Sequence, residues 1–338
     1  MKIKFENNLH YQLDAINSVV DIFNGQEKLS SNFTVLAPRI DNGNSVILDE
    51  DKGYANKLSL SDSQLLKNVQ EIQLRNGLSV SKPDEVHKKD LQFSIDMETG
   101  TGKTYVFTRS IFELNKRYGM KKFIIVVPSV SIREGINKSL ELTDAHFRKH
   151  FDNVPYKHFI YDSNNLSEVR DFATSDQIRI MIINIQAFAR NTKSANMKNI
   201  KSDVEIFDSK VGRILLDYND KLGAIPINLI KETNPVVIVD EPQSTMSSEL
   251  QKESIKRLNP LVTFRYSATH KERINMLYKY DAIDAYTDRK VKQIEVSAVT
   301  IDSDVSDGAY VELHSVSNKD GFSASATVDV KGKNGKIR

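Results

Sequence analysis

Short runs of consecutive apolar residues recur along the chain, and most of them are rich in β-branched side chains. Four such runs are Phe123–Val127, Ile178–Ile185, Pro235–Asp240 and, more weakly, Leu261–Tyr266. A fifth candidate strand, Leu91–Ile95, alternates apolar and polar residues and ends in a glycine-rich turn. Continuous β-branched runs are typical of strands that are buried on both faces of a parallel sheet. The pattern therefore predicts several buried parallel strands.

Stretches with helical spacing separate these strands. The clearest are Tyr105–Tyr118, Ile132–Leu142 and Ser247–Arg257. Strands that alternate with helices predict an α/β fold, in which a doubly wound, mainly parallel sheet carries helices on both faces.

Two parts of the chain depart from this alternation. Residues 33–90 carry loop signals around one helix, Asp62–Asn76, and predict an insertion between a first helix and the next strand. From residue 291 onward the apolar segments are short and alternating, which predicts a β-rich C-terminal segment of hairpins. The hairpin candidates are Ile294–Val299, Tyr310–Val316 and Ala324–Val330. We therefore expect one domain over residues 1–290 and a partial segment over residues 291–338.

Composition narrows the function. Lysine and arginine total 47 against 45 acidic residues, so the net charge of +2 excludes binding to nucleic acid by bulk charge alone. The chain has no cysteine, which excludes disulfides and thiolate metal sites. No apolar run has the length of a membrane span or a signal peptide, so a cytoplasmic protein with no membrane partner is expected.

A glycine-rich turn follows the first buried strand and opens the next helix. Its sequence, Met97–Thr104, reads Met-Glu-Thr-Gly-Thr-Gly-Lys-Thr. Backbone N–H groups of such a turn bind phosphate oxygens, and the helix N-terminus adds partial positive charge. In this variant of the phosphate-binding loop, Lys103 is expected to reach the β- and γ-phosphates and Thr104 to ligate Mg²⁺. The residues predicted to bind the nucleotide here are Thr99, Gly100, Thr101, Gly102, Lys103 and Thr104.

An acidic pair, Asp240 and Glu241, ends another apolar strand. The carboxyl ends of parallel strands share one edge of the sheet, so this pair is expected beside the glycine-rich turn. Asp240 is predicted to hold Mg²⁺, and Glu241 to orient the attacking water. The predicted catalytic residues are Lys103, Asp240 and Glu241, with ATP and Mg²⁺ as cofactors.

Further motifs resemble those of superfamily 2 helicases and translocases, whose first motor domain is RecA-like. Asp240-Glu-Pro-Gln243 is similar to the DEAD/DEAH-type box, and Ser267-Ala-Thr269 to the motif that follows it. The resemblance implies that Gln12 reads adenine. It implies coupling roles for Gln243, Ser267 and Thr269, and contacts to the DNA backbone for Ser129, Asn184 and Gln186.

The combination of the Met97–Thr104 loop with Asp-Glu-Pro-Gln resembles the Res subunit of type III restriction enzymes over residues 5–275. That resemblance implies an ATP-dependent DNA motor and restriction endonuclease that works on double-stranded DNA with a methyltransferase (Mod) subunit. In that family a second motor lobe and a nuclease domain would follow. We therefore expect an N-terminal fragment that does not sustain ATP turnover or cut DNA by itself.

Three alternatives remain open. The motor subunit of a type I restriction complex and a superfamily 2 repair helicase share the phosphate loop, but they usually carry Asp-Glu-Ala-His or Asp-Glu-Ala-Asp where this chain has Pro242 and Gln243. The third is a nucleotide-binding module without catalytic turnover.

Overall fold

The computed structural model describes residues 6, 8–29, 31–35, 39–41, 44–46, 52–188, 215, 219, 224–291, 311–317 and 323–328. The chain divides into two compact units, Met1–Val291 and Lys292–Arg338.

The first unit opens with helix α1 (His10–Val20), followed by β1 (Ser31–Thr34), β2 (Arg39–Asp41), β3 (Asn44–Val46), β4 (Lys52–Ala55) and α2 (Asp62–Arg75). Next come β5 (Gln92–Met97), α3 (Lys103–Tyr118), β6 (Lys122–Val127), α4 (Val130–His150), β7 (Tyr156–Ile160), α5 (Ser167–Thr174) and β8 (Ile178–Asn184). The remaining elements of this unit are α6 (Pro226–Glu232), β9 (Val236–Asp240), α7 (Pro242–Thr245), α8 (Glu249–Lys256), β10 (Val262–Ser267), β11 (Tyr278–Tyr280) and α9 (Ala282–Thr287).

Seven of these strands form one sheet in the order β11-β5-β10-β9-β6-β8-β7. Every neighbouring pair in it is parallel. The predicted doubly wound, mainly parallel sheet is thereby confirmed. Its strand order brings β10 between β5, which leads into the glycine-rich turn, and β9, which ends at the acidic pair.

Apolar residues cover both faces of the sheet at strand β6, as its continuous run predicted. Along β6, Phe123, Ile125 and Val127 belong to one hydrophobic cluster. The alternate residues Ile124 and Val126 belong to a second cluster on the opposite face. Because the side chains of a strand alternate between faces, a strand buried on both sides must be apolar throughout.

All five predicted strands are present, but the shorter edge elements were missed. Strands β7 and β11 and helices α5 and α9 had not been predicted. Tyr156–Ile160 lies at the sheet edge, where Lys157 is exposed and His158 is half-buried. An edge strand needs no continuous apolar run, so its sequence lacks the signal that marked the central strands.

Residues 33–90 form more structure than their loop signals indicated. Strands β1 and β4 pair antiparallel, as do β2 and β3. Helix α2 begins with a capping box, in which Ser61 accepts from the backbone N–H of Gln64 while the Gln64 side chain accepts from Ser61 N–H. Its buried residues Leu65, Val69 and Ile72 join the main hydrophobic cluster.

In the second unit, strands β12 (Val311–Ser317) and β13 (Ser323–Val328) pair antiparallel, which confirms the predicted C-terminal hairpin. The strand expected at Ile294–Val299 lies outside the described residues. No helix in the described part of the chain has both the length and the apolar character that a membrane span requires.

Candidate functional site

The glycine-rich turn joins β5 to α3 and depends on two glycines in left-handed conformations. Gly100 has φ +83° and Gly102 has φ +91°. Side-chain and backbone contacts from Glu98 close the turn, since its Oε1 accepts from Thr99 N–H (2.7 Å) and its carbonyl accepts from the Thr101 hydroxyl (2.6 Å). A Cβ built on Gly100 meets nothing within 4 Å, so the turn leaves open space at the N-terminus of α3. That open, helix-terminal turn fits an anionic phosphate group.

Gln12, on α1, lies directly against this turn. Its side chain is almost fully buried, and its Nε2 donates to the Thr101 carbonyl at 2.9 Å. A Cβ on Gly102 would lie 2.5 Å from the same Nε2, so any side chain at that position would displace the Gln12 amide from the turn. The amide of Gln12 therefore contacts the backbone of the turn itself, 89 residues away along the chain.

Lys103 is the first residue of α3 and lies between the turn and the acidic pair. Its Nζ donates to the Met97 carbonyl at 3.2 Å and lies 3.8 Å from Glu241 Oε1. The lysine side chain is only 12% exposed. An ammonium group with three donors, held at the floor of an open turn, is suited to bind phosphate oxygens.

Asp240 ends strand β9 and is buried. Burial, together with the neighbouring Glu241 carboxylate, raises the pKa of Asp240 to about 6, while Lys103 opposes the shift. A desolvated carboxylate beside a second carboxylate gains from a bound cation, because the cation offsets both causes of the shift. Thr104, in the first turn of α3, adds a hydroxyl to this set of hard oxygen donors. These oxygen types suit Mg²⁺, which at nucleotide sites uses only one or two carboxylates.

Glu241 follows β9 in a left-handed conformation with φ +52°, which is uncommon for a residue other than glycine. Pro242 follows it and disfavours a right-handed helical conformation at Glu241. The backbone N–H of Glu241 donates to the Tyr266 carbonyl at 3.0 Å, so the turn is also tied to β10. This conformation leaves Oε1 of Glu241 near Lys103 and Oε2 toward the end of β10.

Residues 267–269, which we call the coupling segment, contact Glu241 directly through Ser267 and, by way of Gln243, through Thr269. Ser267 Oγ lies 3.0 Å from Glu241 Oε2 and 2.9 Å from Gln243 Oε1, and can donate its hydrogen to either. Gln243 Nε2 donates to Glu241 Oε2 and, at 3.2 Å, to Thr269 Oγ1. The structure therefore brings Gln243, Ser267 and Thr269 into one hydrogen-bonded network with Glu241.

Ser129, Asn184 and Gln186 lie at the same carboxyl edge: Asn184 ends strand β8, Gln186 follows it, and Ser129 follows the neighbouring strand β6. In the sheet register, Val127 pairs with Asn184. Ser129 is the N-cap of α4, where its Oγ accepts from Ile132 N–H at 3.3 Å. Asn184 is buried, and its Oδ1 accepts from Gln186 N–H at 2.9 Å. Of the three, only the Gln186 side chain is exposed.

A buried charged group behind the turn had not been predicted from the sequence. Asp96, on β5, lies 3.1 Å from both His270 Nε2 and Arg273 Nε. One signal was available, because an acidic residue stands inside an otherwise mostly apolar strand. Its two partners follow the coupling segment and have no pattern that ties them to β5.

No cluster of three or more potential histidine, cysteine or acidic metal ligands occurs among the described residues. This is compatible with the Mg²⁺ site considered above, whose donors are one or two carboxylates and a hydroxyl.

Comparison with known proteins gives similarity to one family in particular. The family model described as type III restriction enzyme, res subunit, matches residues 9–272. The chain is 28% identical over 303 residues to the Res subunit of the type III restriction-modification enzyme EcoP15I of Escherichia coli, covering 86% of this chain and 28% of that protein. It is 27% identical over 303 residues to the EcoPI Res subunit of Escherichia phage P1, with the same coverage. The chain thus spans about 28% of the length of these relatives.

Among solved structures, the chain is similar to the SWI2/SNF2 ATPase core of Sulfolobus solfataricus in complex with double-stranded DNA. The TM-score is 0.31 and the sequence identity 14%, over 70% of this chain and 35% of that one.

Proposed function

Since this chain belongs to the Res subunit family of type III restriction enzymes, we propose that it is the ATP-binding motor domain of such a subunit. In this proposal it couples ATP hydrolysis to movement along DNA before cleavage. The observation that carries the proposal is the position of Lys103, which lies between the glycine-rich turn and Glu241 at 3.8 Å. Phosphoryl transfer requires a phosphate-binding group and an acidic group at one place, and Lys103 brings the two together.

In this proposal the turn binds the phosphates of ATP. Backbone N–H groups of residues 99–102 and the N-terminus of α3 surround the phosphate oxygens, and Lys103 neutralises part of their charge. The Met97 carbonyl, which accepts from Lys103 Nζ, keeps the ammonium group at the floor of the turn. Gln12 orients the Thr101 carbonyl and presents its remaining amide atoms to adenine.

Thr104 and Asp240 hold Mg²⁺ in the proposed site, through one hydroxyl and one carboxylate oxygen. When bound, this ion would screen the phosphate charge during transfer. Binding requires Asp240 to be ionised, and its pKa of about 6 leaves it mostly ionised at neutral pH. Lys103 also favours the ionised form.

Glu241 orients the attacking water and accepts its proton. Its Oε2 is held by Ser267 and Gln243, which leaves Oε1, beside Lys103, facing the turn. Because this carboxylate is already held in one orientation, it positions the water without losing conformational entropy during the reaction.

The coupling segment transmits the nucleotide state from Glu241 to the DNA-binding edge. A change at Glu241 is felt directly by Ser267 and, through Gln243, by Thr269, because all four side chains belong to one hydrogen-bond network. Ser129, Asn184 and Gln186, at or just after the ends of β6 and β8, contact phosphates of the DNA backbone. Such contacts carry no sequence information, so recognition of a DNA site is left to a partner.

The proposed partners are double-stranded DNA and a methyltransferase (Mod) subunit, and the proposed location is the cytoplasm. The relatives are named as subunits of restriction-modification enzymes, which supports a partner that modifies DNA. We assign the motor domain to residues 1–290, with the insertion at residues 33–90. Residues 291–338 would lead toward a second motor lobe, and cleavage would belong to a restriction endonuclease domain of the whole subunit.

Calorimetric titration of the chain with Mg·ATP tests this proposal. Lys103→Ala should weaken binding at least tenfold, because a charge-assisted contact to phosphate is lost in a mostly buried site. Lys138→Ala is the matched control. Lys138 is exposed on α4, and its one ion pair within the described part of the chain is with Glu141, at 2.9 Å. Equal affinities for the wild-type chain and Lys103→Ala would overturn the assignment of the turn.

A further inference from the structure

One face of the sheet is polar where β5 and β10 pair, unlike the apolar faces elsewhere. The register pairs Arg265 with Ser94 and Ser267 with Asp96, so these four buried side chains share a face. The intervening residues of both strands are apolar and face the other side. Central strands of a parallel sheet normally bury apolar side chains on both faces. Packing alone therefore does not account for an acidic residue at position 96.

The Asp96 carboxylate is held by two residues that follow the coupling segment. Its Oδ2 accepts from Arg273 Nε at 3.1 Å, and its Oδ1 lies 3.1 Å from His270 Nε2. The same His270 nitrogen lies 3.2 Å from the Ile95 carbonyl. The side chains of Asp96 and His270 are 5% and 0% exposed, whereas that of Arg273 is 56% exposed. A single buried carboxylate thus contacts both ends of the stretch 270–273.

Backbone contacts continue this attachment along β5. The N–H of Ser94 donates to the Ile274 carbonyl at 2.9 Å, and the N–H of Leu277 donates to the Ser94 carbonyl at 3.0 Å. Ser94 Oγ also accepts from Ile274 N–H at 2.9 Å. These bonds fix residues 274–277 to β5, but residues 268–272 reach the strand through side chains. The two side-chain contacts to Asp96 hold the stretch that follows the coupling segment, together with ion pairs from Glu272 to Arg265 (3.6 Å) and to Lys252 (3.5 Å).

Asp96 is adjacent to the phosphate-binding part of the site. Met97, the next residue, supplies the carbonyl that accepts from Lys103 Nζ, and Ser267, its register partner, contacts Glu241. Asp96 accordingly lies next to both Met97, at the start of the turn, and Ser267, which contacts Glu241. It belongs to neither the phosphate contacts nor the hydrogen-bond network of Glu241.

A buried ionic cluster of this kind costs desolvation free energy and so contributes little to stability. Burial raises the pKa of Asp96, and the charges of His270 and Arg273 oppose that shift. Apolar replacements of buried ion pairs are often neutral or stabilising, so the fold alone gives little reason to keep one. Charged groups instead favour one geometry, because charge-assisted contacts form only at a defined distance and orientation.

We infer that Asp96 is a positioning residue for the coupling segment. Its carboxylate anchors His270 and Arg273, and these keep the hydroxyls of Ser267 and Thr269 within reach of the Glu241 network. The inference rests on the proposed function, since it concerns the same reaction. It predicts that loss of the anchor slows hydrolysis and leaves nucleotide affinity in place.

Asp96→Asn tests the inference, because it keeps the shape of the side chain and removes its charge. Three quantities are compared with the wild-type chain: the Kd for Mg·ATP by calorimetry, the single-turnover rate constant for ATP hydrolysis with protein in excess, and amide hydrogen exchange. We expect a Kd within twofold of wild type, a rate constant lower by about tenfold, and exchange at residues 267–273 faster by about tenfold. Exchange in β6 and β8 should not change.

Asp90→Asn is the matched control. Asp90 stands just before the other end of β5, is exposed, and lies 3.9 Å from Lys256 Nζ. This variant should match wild type in all three measurements. His270→Gln, whose amide can donate to the Asp96 carboxylate or to the Ile95 carbonyl, should keep most of the rate, whereas His270→Leu should behave like Asp96→Asn. Rescue by the donor separates an anchoring contact from simple filling of space.

Two outcomes would overturn the inference. One is an Asp96→Asn chain with wild-type exchange at residues 267–273. The other is a variant in which affinity, rate and exchange in the whole sheet fail together, since that result indicates a general structural role. If Asp96→Asn does not fold, the half-exposed contact is removed instead with Arg273→Gln, for which the same two outcomes apply. A wild-type chain that binds no Mg·ATP would contradict the proposed function, and is thus distinguishable from failure of this inference.

Discussion

Gln12 illustrates how one side chain can serve the backbone and a ligand at the same time. One of its two amide hydrogens goes to the Thr101 carbonyl, at 2.9 Å. Its Nε2 also makes a long contact, 3.4 Å, to the Tyr11 hydroxyl, which a nucleotide base can replace. That second donor and the acceptor oxygen together match the N7 and exocyclic amine of adenine. Guanine presents a carbonyl where adenine has the amine, so the same arrangement disfavours GTP.

Gln12→Ala should therefore change both the affinity for nucleotides and the preference among them. We expect the ratio of the GTP and ATP dissociation constants to fall by about tenfold, the value of one or two hydrogen bonds. Affinity for both nucleotides should also fall, because the contact to the turn is lost. Calorimetric titration with each nucleotide measures both effects.

The matched control is Gln70→Ala, since Gln70 also donates to a backbone carbonyl, that of Ser81 at 2.9 Å, but belongs to α2. If Gln12→Ala weakens ATP and GTP equally, the residue positions the turn and does not read the base.

Lys122 is a buried lysine that lies outside the candidate site. Its Nζ lies 2.5 Å from the carbonyls of Phe172 and Ser175, at the C-terminal end of α5. Burial, with a smaller contribution from Arg179, lowers the pKa of Lys122 from 10.5 to about 7. A neutral amine still has two N–H donors, which are enough for both carbonyls.

The lowered pKa makes stability depend on pH in a definite direction. Between pH 7 and the ordinary value of 10.5, the unfolded chain binds a proton at Lys122 and the folded chain does not. The free energy of unfolding should therefore rise with pH in this window, by up to about 1.4 kcal/mol per pH unit. Urea unfolding at pH 7, 8 and 9 measures this slope.

Lys122→Met should reduce that slope by most of this amount, whereas Lys121→Met should not. Lys121 is the adjacent, partly exposed lysine and pairs with Asp176 at 2.5 Å. A wild-type slope that survives in Lys122→Met would show that another group is responsible.

At the scale of secondary-structure elements, the turn between β5 and α3 is the most constrained connection in the site. Gly102 is both left-handed, with φ +91°, and within 2.5 Å of Gln12 when a Cβ is added. Two separate reasons, backbone strain and a steric contact with α1, thus require glycine there. Gly77, after α2, has φ +65° but open space around its added Cβ.

Gly102→Ala should consequently lose stability and nucleotide affinity together. We expect a destabilisation of about 1–3 kcal/mol from the left-handed conformation and displaced Gln12. Binding of Mg·ATP should weaken at least tenfold, because the N–H groups of the turn move. Thermal unfolding and calorimetry measure the two effects.

Gly77→Ala carries the same backbone strain without the steric contact, and should lower the melting temperature while leaving Mg·ATP affinity unchanged. Loss of nucleotide binding in both glycine variants would mean that binding follows general stability and not the geometry of the turn.

For the whole molecule, charge limits how the chain can bind DNA. The net charge is +2, and two of the three candidate DNA-contacting side chains already accept hydrogen bonds within the protein. Ser129 caps α4, and Asn184 holds the turn that leads to Gln186. Few counterions would be displaced by such a surface, so its electrostatic contribution to binding is small.

Binding of this chain to double-stranded DNA should accordingly be weak and insensitive to sequence, with a Kd no tighter than about 10⁻⁶ M at physiological salt. Fluorescence anisotropy with two unrelated duplexes, at several salt concentrations, measures affinity and its salt dependence. Gln186→Ala should weaken both duplexes equally. Tight, salt-resistant binding to one of the two sequences would contradict this expectation.

The central strands and the glycine-rich turn could be predicted from the amino-acid sequence alone. Strands such as β6 and β8 are rich in β-branched residues, and this local composition predicts burial on both faces. The turn follows from glycines at two positions where other residues would be strained. These signals are local, since sterics and burial at each residue depend mainly on its own type and its near neighbours.

The strand order, and the contacts between elements that are distant in the sequence, became evident only from the tertiary structure. Strand β10 lies between β5 and β9, Gln12 reaches Thr101 from another helix, and Asp96 meets His270 across 174 residues of chain. The edge strand β7 likewise forms because β8 offers it a partner. In each of these cases a polar group or a strand edge pairs with a segment that is distant in the sequence. Hydrophobic periodicity does not indicate such a pairing, because its stabilising free energy comes from satisfying desolvated groups once the sheet has assembled.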